Sequence, residues 1–251
     1  MSARRARPDE QACELVPHTR TRQAIGDRTR QSVNEQPQFR VHKLVDATAL
    51  LAARGALKAQ GAQPLPSFND FLLKRVADLL PTHRRFNAWW SPEGLKLLQD
   101  VNVAFATATD QGVLLPTVLR ANEKSLVEIA TETAEMVALA RAGKLRASLQ
   151  MGAGFTISNI GPVGVDAFDA IISPPQTAIL AIGSIMPRPV AEGEQVVVRP
   201  TMWLSLTMDH RSLDGADGGP FLNDLAAALM SSPELNASVA KMGRKTQDDG
   251  E

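Results

Sequence analysis

The predominantly apolar run Met202–Met208 constrains the fold of this chain more than any other segment, because its composition is typical of a buried strand. A polar segment, Asp209–Gly215, follows this run directly. After Gly218–Pro220, the residues Phe221–Leu229 repeat apolar side chains with a helical period. The sequence therefore predicts a strand, a loop and a helix in this order, with His210 in the loop after the strand.

His210 is a candidate base, since a histidine side chain gains and loses a proton near neutral pH. Asp214, followed by Gly215, suits a tight turn beside it. An ordinary structural His–Asp pair is the alternative that this local pattern leaves open. The remaining histidines and the single cysteine are scattered along the chain at His18, His42, His83 and Cys13. This spacing does not resemble a set of metal ligands, so no metal site is predicted.

Composition limits the classes of protein to which the chain can belong. Hydrophobic residues make up 44% of 251 residues, enough for one large domain or two small ones. Lys plus Arg equals Asp plus Glu at 27 each, which gives no general attraction to nucleic acid or to an anionic membrane. One cysteine excludes an internal disulfide framework and suits a reducing compartment. No secretory signal or membrane span is recognisable, so we expect a soluble cytoplasmic protein.

The chain divides into three predicted segments. Residues 1–20 are polar, lack periodicity and are predicted to form a flexible arm. Residues 21–236 are predicted to form a single globular domain, and residues 237–251 a polar tail. Positions 1–30 contain seven arginines and four acidic residues. This excess of positive charge fits either a solvated arm or contact with a phosphate-bearing cofactor.

Helices and strands alternate in residues 21–236 without a regular βαβ repeat, and no glycine-rich phosphate loop follows a strand, which disfavours nucleotide-binding folds. Capping boxes are predicted at Ser67 with Asp70 and at Ser125 with Glu128, and Asp46 is predicted to cap a helix. Helices are predicted at Arg22–Ser32, residues 47–59, Phe68–Leu80, residues 126–141 and Phe221–Leu229. Strands are predicted at Gln38–Val45, Phe86–Trp90, Val101–Ala108, Val113–Val118, Phe155–Ser158, Ala178–Ile182, Val196–Val198 and Met202–Thr207.

Seven motifs occur in a characteristic order between about residue 20 and residue 235. They are Arg22–Ser32, Ser67–Lys74, Val101–Ala104 with Gly112–Pro116, Lys124–Ala130, Phe155–Gly161, Pro174–Leu180 and Asp209–Gly215. Together they resemble the catalytic domain of the dihydrolipoamide acyltransferases, the core components of 2-oxo acid dehydrogenase complexes.

The resemblance implies an α/β, chloramphenicol acetyltransferase-like two-layer fold, in which a mixed sheet is flanked by helices. It also implies a homotrimer whose active sites lie between neighbouring subunits. The implied reaction moves an acyl group between a dihydrolipoyl thiol and coenzyme A, which is a co-substrate.

By the same resemblance, His210 matches the base that activates the attacking thiol, which is mostly protonated at neutral pH. Ser158 matches the donor of a hydrogen bond to the oxyanion. Asp214 matches the position that shapes and polarises the loop. Arg211 is interpreted as a partner in a structural salt bridge, and Trp203 as a core residue. Trp89 and Trp90 fit either a channel for the pantetheine arm or packing in the core or a subunit interface.

The chain also departs from the family pattern. About twenty residues precede the matching region, too few for a lipoyl domain, so we expect the lipoyl group in trans from a lipoyl-carrier protein beside 2-oxo acid dehydrogenase subunits. Ser173 stands where asparagine often precedes the proline pair, and Met208 stands where an aromatic residue is common. The polar C-terminal end leaves assembly into a larger core open.

Three functions are compatible with these observations. The first is acyl transfer between coenzyme A and dihydrolipoyl thiol, and the second is coenzyme A-dependent acylation of another small acceptor. The third is a non-catalytic core or scaffold subunit, against which the presence of His210, Asp214 and Ser158 argues.

Overall fold

The structure is a computed structural model that describes residues 13–231. The predicted tail at 237–251, and residues 1–12 of the predicted arm, lie outside the described residues. Residues 13–19 have no regular secondary structure, and the first helix begins at Arg20.

Helices and strands alternate along the described part of the chain. Its α-helices are α1 (Arg20–Glu35), α2 (Thr48–Ala59), α3 (Phe68–Leu79), α4 (Leu126–Arg141) and α5 (Gly215–Met230). Its strands are β1 (Gln38–Asp46), β2 (Ala88–Ser91), β3 (Gly94–Leu97), β4 (Val103–Phe105), β5 (Thr107–Thr109), β6 (Gly112–Leu114), β7 (Thr117–Val118), β8 (Phe155–Asn159), β9 (Ala178–Ile182), β10 (Met186–Glu192) and β11 (Gln195–Asp209).

A seven-stranded mixed sheet organises the fold, with the order β1-β11-β9-β8-β4-β7 and β10 paired to β11. Strands β4, β8 and β9 run parallel to one another, whereas β11 is antiparallel to β1, β9 and β10. Two small hairpins, β2–β3 and β5–β6, lie outside this sheet. The prediction of a mixed sheet with flanking helices is therefore confirmed.

The main core lies between one face of the sheet and the helices. Alternate residues of β11 point into it and are completely buried: Met202, Leu204, Leu206 and Met208. They pack in one cluster with helical residues that include Leu50, Phe71, Ile129 and Phe221. Because side chains alternate along a strand, Trp203 lies on the opposite face and is only half-buried, so its interpretation as a core residue is wrong.

The predicted helix caps are confirmed at α3 and α4, whereas the cap of α2 differs from the prediction. Ser67 with Asp70 and Ser125 with Glu128 form the expected capping boxes of α3 and α4. The N-cap of α2 is Ala47 rather than Asp46, because Asp46 still belongs to β1, where it is paired with Thr201. Its carboxylate nevertheless accepts a hydrogen bond of 2.7 Å from the Thr48 N–H.

The structure also corrects the predictions for the C-terminal region. The predicted strands Val196–Val198 and Met202–Thr207 form the single strand β11, because pairing with β10 continues through Pro200. Helix α5 begins at Gly215, so the glycine pair Gly218–Gly219 and Pro220 lie within the helix. Gly218 allows this helix to approach the sheet closely, since a Cβ atom there would lie 2.4 Å from Cε of Met208.

Other predicted strands are shorter or divided. The strand predicted at Phe86–Trp90 starts at Ala88, because Arg84–Phe86 form a 3-10 turn. The predicted strands Val101–Ala108 and Val113–Val118 each split in two, as β4 with β5 and β6 with β7. Strands β3 and β10 were not predicted, since exposed polar residues and prolines interrupt their apolar pattern.

Candidate active site

Strand β11 delivers His210 to one end of the sheet, directly after its last residue, as the sequence predicts. The His210 backbone N–H donates a hydrogen bond of 2.8 Å to the carbonyl oxygen of Pro37. The imidazole ring is exposed and lies 4.2 Å, centroid to centroid, from the ring of Phe39. The residue is therefore held by its backbone and one ring contact, while its ring nitrogens are accessible for chemistry.

The residues on either side of His210 form an ion pair. Both carboxylate oxygens of Asp209, a completely buried side chain, accept hydrogen bonds from the Arg211 guanidinium at 2.7 to 3.2 Å. The Arg211 backbone N–H also donates to this carboxylate at 3.1 Å. The structural salt bridge expected of Arg211 is present.

Two further side chains, Gln36 and Trp90, contact this ion pair, and no local sequence pattern predicts that they do so. The Gln36 side chain, which is buried, donates a hydrogen bond of 3.1 Å to Asp209. The ring of Trp90 lies under the Arg211 guanidinium, with 3.6 Å between its centroid and Cζ. Trp90 thus has a defined contact beside the candidate base, whereas sequence reasoning offered only a channel or general packing.

Asp214 starts helix α5. Its side chain accepts hydrogen bonds from the backbone N–H groups of Ala216 and Asp217, and the Asp217 carboxylate accepts one from the Asp214 N–H. Arg85 fixes the same turn, since it binds the Asp217 carboxylate and the carbonyl oxygen of Ser212. Asp214 therefore shapes the segment between His210 and α5 as an N-cap residue.

Ser158 lies near the carboxyl end of β8 and is half-buried. Its hydroxyl makes no hydrogen bond to any residue in the range 13–231. The next residue is fixed on both sides, because the Asn159 side chain donates to Asn69 at 2.7 Å and accepts from the Gly161 N–H at 2.9 Å. Ser158 therefore presents a hydroxyl that has no partner within residues 13–231, next to a residue held by two hydrogen bonds.

The structure does not bring Ser158 and His210 together within one chain. Ser158 is in register with Ala181 of β9, and Ala181 with Ser205 of β11. His210 follows Ser205 by five residues, which is about 16 Å along a strand, and two strand spacings add about 10 Å across the sheet. The serine and the histidine thus occupy opposite ends of the same sheet.

One cavity lies near each of these ends. A cavity of about 490 Å³ is lined by residues that include Ile25, Arg28, Trp89, Leu114, Met151 and Gln176. A second, of about 420 Å³, is lined by residues that include Asn69, Leu73, Thr107, Thr133, Asn159 and Val163. Both volumes fall within the range of small-molecule sites, so these residues are candidates for contact with a substrate.

Two further features concern residues 13–231. No group of three or more His, Cys, Asp or Glu side chains there is arranged to hold a metal ion. None of the helices in that range combines the length and the apolar composition needed to span a bilayer.

His42, as expected for a strand histidine, lies in β1, and its Nδ1 is 2.8 Å from Oγ of Ser205.

Comparison with known proteins identifies a related family. Residues 10–241 match the family described as 2-oxoacid dehydrogenases acyltransferase (catalytic domain). The chain is 33% identical over 211 residues to the dihydrolipoyllysine-residue acetyltransferase component of the pyruvate dehydrogenase complex of Rickettsia felis. That alignment covers 83% of this chain and 51% of the relative, so the chain spans about half the length of the curated relatives it matches.

A solved structure from Azotobacter vinelandii gives a finer comparison. It is a dihydrolipoamide acetyltransferase with 33% sequence identity and a TM-score of 0.87, and the match covers 91% of this chain and 96% of that one. It was studied for the roles of a serine, a histidine and an asparagine in catalysis. The serine precedes the histidine by 52 residues and the asparagine follows it by four. Ser158, His210 and Asp214 have the same two spacings here.

The fold is also shared more widely. A chloramphenicol acetyltransferase structure matches with a TM-score of 0.51 over 80% of this chain, at 17% sequence identity. The two-layer fold predicted from the sequence is therefore confirmed. At this sequence identity, the likeness to chloramphenicol acetyltransferase shows a shared fold and nothing about activity.

Proposed function

This chain belongs to the 2-oxoacid dehydrogenase acyltransferase family, and we propose that it moves an acyl group between a dihydrolipoyl thiol and the thiol of coenzyme A. One observation carries this proposal. Ser158, His210 and Asp214 repeat the spacing of the serine, histidine and asparagine studied in the catalytic mechanism of the Azotobacter vinelandii enzyme, on the same fold. Asp214 is a carboxylate where that enzyme has an amide, and both side chains are good helix N-caps.

His210 is the general base of the proposed reaction. Its exposed imidazole takes the proton of the attacking thiol, whose sulfur then forms a bond to the thioester carbonyl carbon. The carbonyl π electrons move onto oxygen, and this oxyanion accepts a hydrogen bond from the Ser158 hydroxyl. When the oxygen reforms its double bond, the original carbon–sulfur bond breaks, and the leaving thiolate takes the proton back from His210.

The uncommitted hydroxyl of Ser158 supports its role. A donor that already bonds within its own chain would have to break that bond to stabilise an oxyanion. Ser158 has no such partner among residues 13–231, and the fixed Asn159 beside it keeps its backbone in place. This is the preorganisation that an oxyanion donor needs.

We also propose that the active protein is a homotrimer in which His210 of one chain meets Ser158 of its neighbour. The opposite positions of the two residues on one sheet support a shared site, because a single chain cannot bring them to one substrate. Cyclic symmetry would repeat this contact three times. The acyl carrier would be a lipoyl group supplied by a partner, in a 2-oxo acid dehydrogenase complex.

Subunit complementation tests the reaction and the shared site together. His210→Ala and Ser158→Ala chains are each expected to transfer acyl groups from acyl-coenzyme A to dihydrolipoamide very slowly. When they are co-expressed in equal amounts, about a quarter of the shared sites contain both an intact histidine and an intact serine. The mixture should therefore recover about a quarter of the wild-type rate.

A matched control uses the double variant His210→Ala/Ser158→Ala co-expressed with His210→Ala, a combination that cannot assemble an intact site and should recover nothing. If the His210→Ala and Ser158→Ala mixture also stays inactive although mixed trimers form, the shared site is wrong. If the wild-type protein acylates a small amine or alcohol but neither dihydrolipoamide nor a lipoyl domain, the proposed acceptor is wrong.

A further inference from the structure

We propose that Trp90 is a positioning residue for His210, acting through the Arg211–Asp209 ion pair. This inference rests on the proposed role of His210 as the base. It concerns a side chain on a separate hairpin, β2–β3, whose ring stacks on the arginine of this pair.

The two partners of the ion pair, Asp209 and Arg211, are the residues directly before and after His210. Their side chains are joined by three hydrogen bonds. The Arg211 N–H also bonds the Asp209 carboxylate, which closes a tight turn around the histidine. With the His210 N–H held by Pro37, the backbone of the histidine is fixed on both sides.

The Asp209 carboxylate depends on this arginine. Its side chain is 0% exposed, so it is shielded from water, and among residues 13–231 the one other element that binds the carboxylate does so through Gln36. The Arg211 side chain is 25% exposed, so its guanidinium can reach solvent if nothing holds it over the carboxylate. A second contact to the guanidinium would therefore favour the arrangement in which Arg211 stays paired with Asp209.

Trp90 supplies that contact. Its ring face lies 3.6 Å from Arg211 Cζ, well inside the distance at which a cation is attracted to an aromatic face. The Trp90 backbone N–H donates to the Pro175 carbonyl oxygen at 2.8 Å, and the adjacent Gln176 carbonyl oxygen accepts from Gln36. A closed ring of contacts therefore runs from Trp90 through Arg211, Asp209 and Gln36 back to the loop that anchors Trp90.

The closed set of contacts from Trp90 to Gln36 predicts a specific kinetic effect. A base displaced by about 1 Å can lose on the order of 10²-fold in rate, since proton transfer requires a near-attack geometry. Trp90→Leu keeps an apolar side chain but removes the aromatic face. We expect it to lower kcat about 10-fold, with the KM values for acyl-coenzyme A and dihydrolipoamide within about twofold of wild type. Trp90→Phe keeps a ring face and should retain most of the activity.

Arg211→Lys provides a second test that leaves Trp90 in place. Lysine keeps the charge but loses the planar fork and the stacking surface, so kcat should fall by a similar factor of about 10. Arg199→Lys is the matched control, because Arg199 of β11 makes a two-bond pair with Glu192 of the neighbouring strand β10, far from the histidine. It should leave kcat unchanged. Thermal unfolding of each full-length variant checks that it is folded.

Three results would overturn the inference. Trp90→Leu and Arg211→Lys with wild-type kcat would show that the ion pair does not position the base. A raised KM with unchanged kcat would make Trp90 a residue that contacts substrate. An equal loss in Trp90→Phe and Trp90→Leu would show that the ring face is not what matters. Full activity in His210→Ala would instead refute the proposed function, so the two failures are distinguishable.

Discussion

At the end of the sheet that carries His210, contacts between side chains surround the proposed base, whereas at the end that carries Ser158 two backbone segments cross in close contact. Beside the histidine, a buried ion pair is held by Gln36 and Trp90. Beside the serine, the loop after β8 crosses the end of β9 so closely that glycine is required at Gly161 and Gly183. Charged side-chain contacts thus characterise the surroundings of His210, and a close backbone crossing characterises those of Ser158.

The difference predicts different sensitivities. Side-chain contacts can be weakened without unfolding the protein, so changes at the histidine end should appear first in turnover. A backbone crossing has no room to adjust, so changes at the serine end, other than at Ser158 itself, should appear first in stability. Each end can be perturbed separately, because the two lie at opposite ends of the strands.

The largest expected effect is on turnover. If His210 is the base, as proposed, His210→Ala should lower kcat by about 10²–10⁴, the usual contribution of a general base. Ser158→Ala should lower kcat by about 10²–10³ with little change in KM, as for a lost oxyanion donor. Steady-state kinetics with acyl-coenzyme A and dihydrolipoamide measure both. A rise in KM alone for Ser158→Ala would assign the serine to binding, and wild-type turnover in His210→Ala would remove the histidine from the reaction.

The backbone crossing at the serine end should be the most sensitive point for stability. A Cβ atom on Gly183 would lie 1.9 Å from the carbonyl oxygen of Asp166, so Gly183→Ala forces two backbone segments apart. We expect the free energy of unfolding to fall by about 3 kcal/mol or more, measured by denaturant unfolding.

Gly219→Ala is the matched control for this change. Gly219 lies inside α5 with no atom within 4 Å of a new Cβ, so alanine there should stabilise the protein by about 0.5–1 kcal/mol. If Gly183→Ala is as stable as Gly219→Ala, the two backbone segments at Gly183 have room for a methyl group. The contrast between the histidine end and the serine end of the sheet would then be wrong.

The smallest expected effect concerns the helix cap at the histidine end. Asp214→Ala removes the side chain that accepts from the Ala216 and Asp217 N–H groups, and should lower the free energy of unfolding by about 1 kcal/mol. Asp214→Asn should be close to neutral in stability and activity, because asparagine caps a helix equally well. An Asp214→Asn variant as impaired in turnover as Asp214→Ala would show that the negative charge itself serves the reaction.

The sequence by itself determined features that depend on neighbouring residues. The capping boxes of α3 and α4 need only a serine and an acidic residue three positions apart, and both are present. The position of His210 directly after a buried strand follows from one apolar run and the polar segment behind it. The family and its two-layer fold followed from seven motifs in order, since a shared order of motifs reflects a shared path of the chain.

Only the tertiary structure decided which distant residues meet and which do not. Gln36 and Asp209 are 173 positions apart and touch because β1 and β11 pair in one register, which no local pattern encodes. Helix α5 begins six residues before its apolar repeat, because Asp214 caps it and Gly218 lets it approach Met208. The separation of Ser158 from His210 follows in the same way from strand order and direction, which long-range pairing sets and local sequence does not.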